Sequence, residues 1–510
     1  MVEAIREREA VAKEIQTAVR HTAVYGLGGV LAKAVGFLML PFYTHYLTPA
    51  DYGILEILDL SMSLLGMFLN MGMTAALLRC HAAAQTLEEK QKAVGTAFLF
   101  VMVTGVVTFF LALGLVRPAS ALLFGPQVPS KYLLVSFASF ILSYIANLPR
   151  TYLRALEASV AFVAVEMSGL VMILALNIYF IAFLKTGLIG ILLSSVIVFS
   201  FQTVLLSVWT LRRVGMGFSA NLLRQMVGFG LPLIFSNLAL FTLNFADRFF
   251  LQHLRSLEVV GIYAVGYKFG FMMNYLMVQP FYAMWQSRMY VIHTQPDHPK
   301  VFSQMFVLYS LVLIYAGLAL SILSPEIVSV MVSSKFSASQ DVIPIVAFAY
   351  VFYGISYYTQ LGMFLTNNTH MVGMVSAAAA VLNLGLNYVL ILHYGMLGAA
   401  WATLLSFLAI AIGSYWFSQR VFPLALGIGR VAQAIALGTA LYLISRWWTP
   451  ESWAFALLLK GALLAVFPVV LWKARILSPA ETVTLLSTRD LALTKVSRLL
   501  GMVSRQVVSL

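Results

Sequence analysis

The chain has 510 residues, of which 61% are hydrophobic and only 10% are charged. A soluble protein carries about 25% charged residues, so this composition excludes an ordinary soluble enzyme and indicates an integral membrane protein. The net charge of +13 predicts anchoring beside anionic lipid and no nucleic-acid partner.

Apolar runs of about 20 residues or more recur along the chain, and each is long enough to cross roughly 30 Å of hydrocarbon. We predict an all-α integral membrane protein with about 14 transmembrane helices. In chain order the predicted spans are 22–47, 50–79, 92–116, 130–156, 158–184, 186–212, 222–252, 257–285, 300–323, 341–366, 368–394, 396–420, 430–447 and 453–473. The loops between them are short and leave no room for a soluble catalytic domain.

A shift of 208 residues aligns the chain with itself. Gly53 then meets Gly261, and segment 187–190 meets 395–398, both of which read Gly-x-x-Gly. Spans one to six coincide under this shift with spans seven to twelve, which predicts two six-helix lobes related by a pseudo-two-fold axis. The predicted domains are a cytosolic amphipathic N-terminus (1–21), an N-lobe (22–212), a C-lobe (222–420), two extra C-terminal helices (430–473) and a cytosolic interfacial tail (474–510).

The basic residues test this topology. With the N-terminus in the cytosol, 22 of the 32 Lys and Arg residues lie in inside segments, seven lie outside and three lie within spans. Such a bias is typical of the positive-inside rule and predicts that both termini are cytosolic.

Charged side chains within a membrane are costly and therefore indicate functional sites. Lys33 in span 1 and Asp59 in span 2 are both predicted near the midplane, where they could pair. Glu56 lies one turn from Asp59 on the same helix face. Two interpretations stay open, a structural ion pair and a charged, water-filled cavity.

Charged residues also lie within other predicted spans. Lys268 is predicted near the midplane of span 8, and Asp247 and Arg248 near the outer end of span 7. Glu166 is predicted within span 5. Because most of these charges fall on spans 1, 2, 7 and 8, they favour a cavity between the two halves. Lys460 lies outside the repeat, and we expect its ammonium group to reach the membrane interface.

Arg150 and Arg154 lie one turn apart at the predicted inner end of span 4. Two guanidinium groups at this spacing could grip a pyrophosphate, but ordinary inside arginines show the same pattern. Amide side chains of the second half could bind sugar hydroxyls or hold helices together, and both interpretations stay open. These residues are Asn237, Asn244, Asn274, Gln279, Asn383 and Asn387.

Because the sequence contains no H-E-x-x-H, G-x-S-x-G or phosphate-loop motif, we predict no catalytic residue, metal or cofactor.

Two stretches of the chain carry a family resemblance. One begins at Leu40-Pro41-Phe42-Tyr43 and ends at Asp51-Tyr52-Gly53, and the other contains Gly230-Leu231-Pro232 and Asn244-Phe245-Ala246-Asp247-Arg248. Both resemble polysaccharide-transporter flippases of the multidrug/oligosaccharidyl-lipid/polysaccharide exporter superfamily. The resemblance implies two six-helix lobes around a central cavity in a bacterial-type inner membrane. It also implies movement of a polyprenyl-pyrophosphate-linked oligosaccharide from the cytosolic to the outer leaflet.

The resemblance further implies roles for the charged residues and the identity of partners. The residues expected to hold the pyrophosphate are Lys33, Lys268, Arg248, Arg150 and Arg154. Those expected to carry coupling protons or sodium ions are Asp59, Glu56, Asp247 and Glu166. The expected partners are membrane lipid, glycosyltransferases and a glycan polymerase.

Two other functions stay open. A multidrug/cation antiporter of the same fold would need an acidic cavity, and the intramembrane lysines argue against it. A membrane glycan polymerase would need a long outer loop or a catalytic His/Asp pair, and the sequence shows neither.

Overall fold

The computed structural model describes residues 35–126, 128–447 and 452–476, and within these ranges the chain consists of helices and loops with no strand. The predicted N-terminal segment 1–21, Lys33 and the tail beyond residue 476 lie outside this part of the chain. The structure therefore does not test the predictions made for these residues.

The first of two compact units extends to Lys268 and also contains Val328–Ser339 and Ala380–Ala402. Its first helices are α1 (Leu40–Tyr46), α2 (Pro49–Asn70), α3 (Met73–Ala83), α4 (Leu87–Phe124), α5 (Lys131–Ala155), α6 (Ser159–Ile178), α7 (Leu188–Val214), α8 (Ala220–Leu254) and α9 (Leu257–Met273). A π-helical segment, Tyr179–Phe183, continues α6. Small residues such as Ala93, Ala97 and Gly105 pack within this unit, because close packing drives helix association in lipid.

The second unit contains Phe269–Ile327, Gln340–Ala379 and the residues from Thr403 onward. The remaining helices of the chain are α10 (Gln279–His293), α11 (His298–Ile322), α12 (Ser324–Met331), α13 (Val342–Thr359), α14 (Leu361–Leu365), α15 (Thr369–Val421), α16 (Ile428–Trp447) and α17 (Trp453–Lys473). A π-helical segment, Asn274–Val278, precedes α10, and a 3₁₀ segment, Ser334–Asp341, precedes α13. The two units differ in range from the predicted lobes 22–212 and 222–420, and the lobes stay a prediction.

Local sequence determines where several helices begin and break. At the start of α2, Thr48 Oγ1 accepts from the backbone N–H of Asp51 at 3.1 Å, and the Asp51 carboxylate accepts from the N–H of Thr48 at 3.2 Å. The break between α2 and α3 falls at Met71 and Gly72, which both adopt left-handed backbone conformations. Gly395, with φ of 58°, interrupts α15 at the predicted boundary between spans 11 and 12.

Ten helices in the described ranges are long and apolar enough to cross a membrane, and the bent helix α8 makes an eleventh. Three features account for the difference from fourteen. Half of span 1 lies outside these ranges, α15 joins the predicted spans 11 and 12, and the helix that begins at Leu257 is not among the ten. The number of spans therefore stays a prediction.

Helices α2 and α9 approach each other most closely at two glycines. A Cβ atom on Gly53 would overlap the carbonyl oxygen of Leu257, and a Cβ atom on Gly261 would overlap that of Pro49. The 208-residue shift relates the two contacts to each other, since it takes Gly53 to Gly261 and Pro49 to Leu257. Only glycine permits this backbone contact on both helices.

Candidate functional site

One face of α2 carries a line of polar side chains. Tyr52, Glu56, Asp59, Ser63 and Asn70 follow one another at intervals of three, four or seven residues, which places them in one line along the helix. The line borders two cavities. Tyr52 and Asp59 line one cavity, Asn70 lines the other, and Ser63 lines both.

Glu56 lies between two cations from other helices. Its carboxylate approaches Lys268 Nζ of α9 at 3.4 Å and Arg248 Nε of α8 at 3.8 Å. Arg248 also donates from Nη1 to Asp247 Oδ1 and to the carbonyl of Asn244, each at 2.6 Å. Glu56, Asp247, Arg248 and Lys268 together form a charged quartet whose two carboxylates balance its two cations, as burial in low dielectric requires.

The quartet has a buried part and an accessible part. The side chains of Arg248 and Asp247 are 1% and 2% exposed, whereas that of Lys268 is 45% exposed. The Arg248 guanidinium lies 3.8 Å from the ring centre of Tyr267, and Tyr263 donates its hydroxyl to Asp247. Arg248 is thus enclosed, while Lys268 can meet a ligand.

Lys268 and Asp59 line a cavity of about 560 Å³, which we call the charged cavity. Lys268 Nζ donates to the hydroxyl of Tyr52 at 2.7 Å. Asn177 donates to the hydroxyl of Tyr43 at 2.7 Å on the same lining. The exposed Asp59 side chain forms no hydrogen bond or ion pair with any residue in the described ranges. This carboxylate is therefore open to a proton, a cation or a ligand.

A second cavity of about 480 Å³, the amide cavity, shares Ser63, Gly66, Phe140 and Ser143 with the charged cavity. The remaining polar side chains of its lining are Asn70, Tyr144, Asn147, Arg150 and Asn237. Carboxamides and hydroxyls both donate and accept hydrogen bonds, as sugar hydroxyls require. Apart from Arg150 this lining carries no formal charge.

Arg150 and Arg154 do not line the same cavity. Arg150 Nη1 forms an ion pair with Glu166 at 3.1 Å, and its other nitrogens donate to the carbonyls of Ala146 and Ser143. Arg154 is exposed at the end of α5 and is not part of the amide cavity. The cation of Arg150 is thus already shared with a carboxylate.

The expectation for Lys460 is wrong. Its side chain is buried in the second unit, where Nζ contacts both carboxylate oxygens of Glu326 at 2.6 and 2.8 Å. A carboxylate within the protein stabilises the ammonium group, so it need not reach the membrane interface.

The structure also shows lining residues that sequence reasoning missed, namely Tyr43, Tyr52, Asn70, Asn147 and Asn177. For Tyr52 and Asn70 a signal was present, since both continue the helical line through Glu56 and Asp59. For Asn177 and Tyr43 no local pattern marks the contact, because the two residues are 134 positions apart.

The segment Val328–Ser339 of the first unit packs against α1 and α2 beside the charged cavity. The backbone N–H of Ser333 donates to Thr44 Oγ1 at 3.3 Å, and the buried ring of Phe336 packs edge-on against Tyr52 with centroids 5.8 Å apart. Tyr52 therefore contacts both this segment and Lys268.

The sequence and fold were compared with known proteins. The model of a family described as polysaccharide biosynthesis protein matches residues 18–285, more than half of the chain. No curated protein matches the sequence.

Solved structures of transporters share the fold. The lipid II flippase MurJ in its inward closed conformation is 13% identical with a TM-score of 0.68, and the match covers 90% of this chain and 100% of that one. An inward-facing multidrug resistance MATE family transporter of the MOP superfamily is 13% identical with a TM-score of 0.61, covering 75% and 93%. An outward-facing MATE structure reaches 0.51 at 14% identity, covering 79% and 95%. The predicted all-α, multi-pass membrane transporter fold is confirmed.

Proposed function

The chain belongs to the polysaccharide biosynthesis protein family, and we propose that it is a flippase for a polyprenyl-pyrophosphate-linked oligosaccharide. It would move this lipid from the cytosolic to the outer leaflet by alternating access. The observation that carries the proposal is the accessible ammonium group of Lys268 in a cavity that continues into one lined by amides.

The two cavities match the two chemically different parts of such a head group. A pyrophosphate is anionic and attracts an ammonium donor, whereas a sugar is neutral and needs many weak donors and acceptors. Lys268 has three N–H donors, of which one is used by Tyr52. We assign the pyrophosphate to Lys268 and the first sugar residues to the amide cavity.

The other predicted cations divide into different roles. Arg248 is enclosed by Asp247, Glu56 and two tyrosine rings, so we assign it to holding Glu56 and Lys268 in place. Arg150 stays a candidate ligand group of the amide cavity, with Glu166 as its counter-ion. Lys33 and Arg154 stay proposed pyrophosphate contacts, one outside the described residues and one on the surface.

Asp59 is our preferred candidate for ion coupling. Its carboxylate lines the same cavity as Lys268 and forms no ion pair within the described residues, which supports its neutralisation by a proton or sodium ion. Glu56 and Asp247 are already paired and fit this role less well. We further propose a bacterial-type inner membrane, cytosolic termini, and glycosyltransferases and a polymerase as partners.

A cation antiporter remains the second candidate because of Asp59 and the MATE fold. A transporter of organic cations needs an excess of negative charge along its pathway. The charged cavity also contains the accessible ammonium group of Lys268, which would repel an organic cation and attract an anion. We therefore favour an anionic substrate.

Deletion of the gene tests the proposal. In inverted vesicles from the deletion strain we expect one lipid-linked oligosaccharide to accumulate on the cytosolic leaflet, measured by mass spectrometry before and after treatment with a membrane-impermeant reagent. A plasmid copy should restore the normal distribution. An unchanged lipid pool combined with loss of ethidium efflux would contradict the flippase and favour the antiporter.

A further inference from the structure

A polar strip runs along α10 in the second unit. Gln279, Tyr282, Gln286 and Tyr290 lie on one face of this helix, at intervals of three or four residues. The strip extends for about 16 Å at roughly 1.5 Å per residue. We call these four residues the tyrosine–glutamine strip.

The strip is accessible and differs from the other faces of α10. Gln286 is exposed and Tyr290 is 47% exposed, while Trp285 and Met289 on the neighbouring face are buried. Met284, Arg288 and Val291 are also exposed, nearly half a turn around the helix, so that face combines apolar side chains with a cation. Carboxamides are costly in hydrocarbon, so Gln279, within the predicted span 257–285, and Gln286, just beyond it, both need polar surroundings.

Neighbouring helices hold its aromatic part rigid. The ring of Tyr282 packs against that of Tyr357 of α13, with centroids 4.1 Å apart. The hydroxyls of Tyr357 and Tyr353 are 2.8 Å apart, and Gln279 donates to Asn274 Oδ1 at 3.3 Å. A ring fixed in this way loses little conformational entropy when a ligand packs on it.

We propose that the tyrosine–glutamine strip binds neutral pyranose rings of the transported glycan. Aromatic faces pack against the C–H faces of sugars, and phenol and amide groups exchange hydrogen bonds with sugar hydroxyls. The four side chains carry no formal charge, so they do not select the pyrophosphate. This inference rests on the proposed function, and it adds a glycan subsite outside the two cavities of the first unit.

Binding of two different lipids tests this inference separately from the proposed function. One probe is polyprenyl pyrophosphate bearing a chain of several neutral sugars, and the other is the same lipid without sugar. Binding of each to the full-length protein in nanodiscs is measured for wild type, Tyr282→Ala, Tyr282→Phe and Gln286→Ala. Tyr388→Ala, which removes a tyrosine that is 55% exposed on α15, is the matched control.

We expect wild type to prefer the glycosylated lipid, and Tyr282→Ala to reduce that preference about fivefold to tenfold. Affinity for the sugar-free lipid should not change, and Tyr282→Phe should keep most of the preference. Gln286→Ala tests the strip independently because its side chain is exposed and its loss leaves the fold intact. Equal binding of both lipids by wild type, or an undiminished preference in Tyr282→Ala and Gln286→Ala, would refute the strip but not the flippase. If wild type binds neither lipid, both proposals fail.

Discussion

The charged cavity and the amide cavity share the same wall of α2 and α5, yet they differ in what they can bind. The lining of the charged cavity contains an accessible ammonium group, Lys268, and an exposed carboxylate, Asp59, that forms no ion pair among the described residues. The amide cavity has Asn70, Asn147 and Asn237 and an arginine that is already paired. A single helix face thus changes from charged to neutral polar chemistry within a few turns.

This difference teaches that net charge alone does not identify the functional cation. Arg248 and Lys268 are both paired with Glu56, but only Lys268 is accessible. Substitutions at four residues test the comparison between the cavities, beginning with the one that should disturb the protein most.

Arg248→Gln should have the largest effect, and the effect should be on stability. The substitution leaves Asp247 buried without its cation and Glu56 with Lys268 alone, which costs about 3–5 kcal/mol of unfolding free energy. Abundance and the thermal unfolding midpoint should both fall. Arg154→Gln is the control because Arg154 is exposed, and an equal effect of both substitutions would show that Arg248 is not a structural centre.

Lys268→Gln should leave the protein folded and slow transport by about tenfold or more, because one charge-assisted contact to the pyrophosphate is lost. Glu56 keeps Arg248 as its partner in this variant. Leaflet accessibility of the lipid-linked oligosaccharide measures the rate, with the exposed Lys131→Gln as control. Normal transport in Lys268→Gln would remove the charged cavity from the mechanism.

Asp59→Asn should keep the fold, since the carboxylate has no partner to lose among the described residues. Export should then become independent of the proton and sodium gradients, because the amide cannot be neutralised by either ion. The measurement compares export in vesicles with and without each imposed gradient. A variant that still responds to the gradients like wild type would place coupling elsewhere.

Asn147→Ala should have the smallest effect, since a neutral hydrogen bond is worth about 0.5–1.5 kcal/mol. We expect the apparent affinity for the oligosaccharide lipid to weaken about threefold without loss of maximal rate. Affinity for the sugar-free lipid should stay constant. Weaker binding of both lipids would assign Asn147 to the pyrophosphate instead of the glycan.

Hydropathy predicted most helices closely, because each span needs its own long apolar run. Lys131–Ala155 corresponds to the predicted 130–156, and Leu188–Val214 to 186–212. The break between α2 and α3 was missed, since two left-handed residues at Met71 and Gly72 hardly change the average hydropathy.

Helical periodicity predicted which residues share a face but not what they contact. Glu56 and Asp59 lie on one face as expected, but Glu56 is paired and Asp59 is open to the cavity. The partners of this face come from distant parts of the chain. Lys268 and Tyr52, for example, are 216 residues apart, and no local pattern relates them.

The neutrality of the charged quartet has an electrical consequence. Two carboxylates and two cations that move together carry no net charge through the membrane field, so this part of the protein has no gating charge. The membrane potential then acts mainly on the substrate, and each elementary charge that crosses the field is worth about 2.3 kcal/mol per 100 mV. With the cell interior negative, an anionic pyrophosphate moves outward downhill, and transport should become faster as the membrane is hyperpolarised.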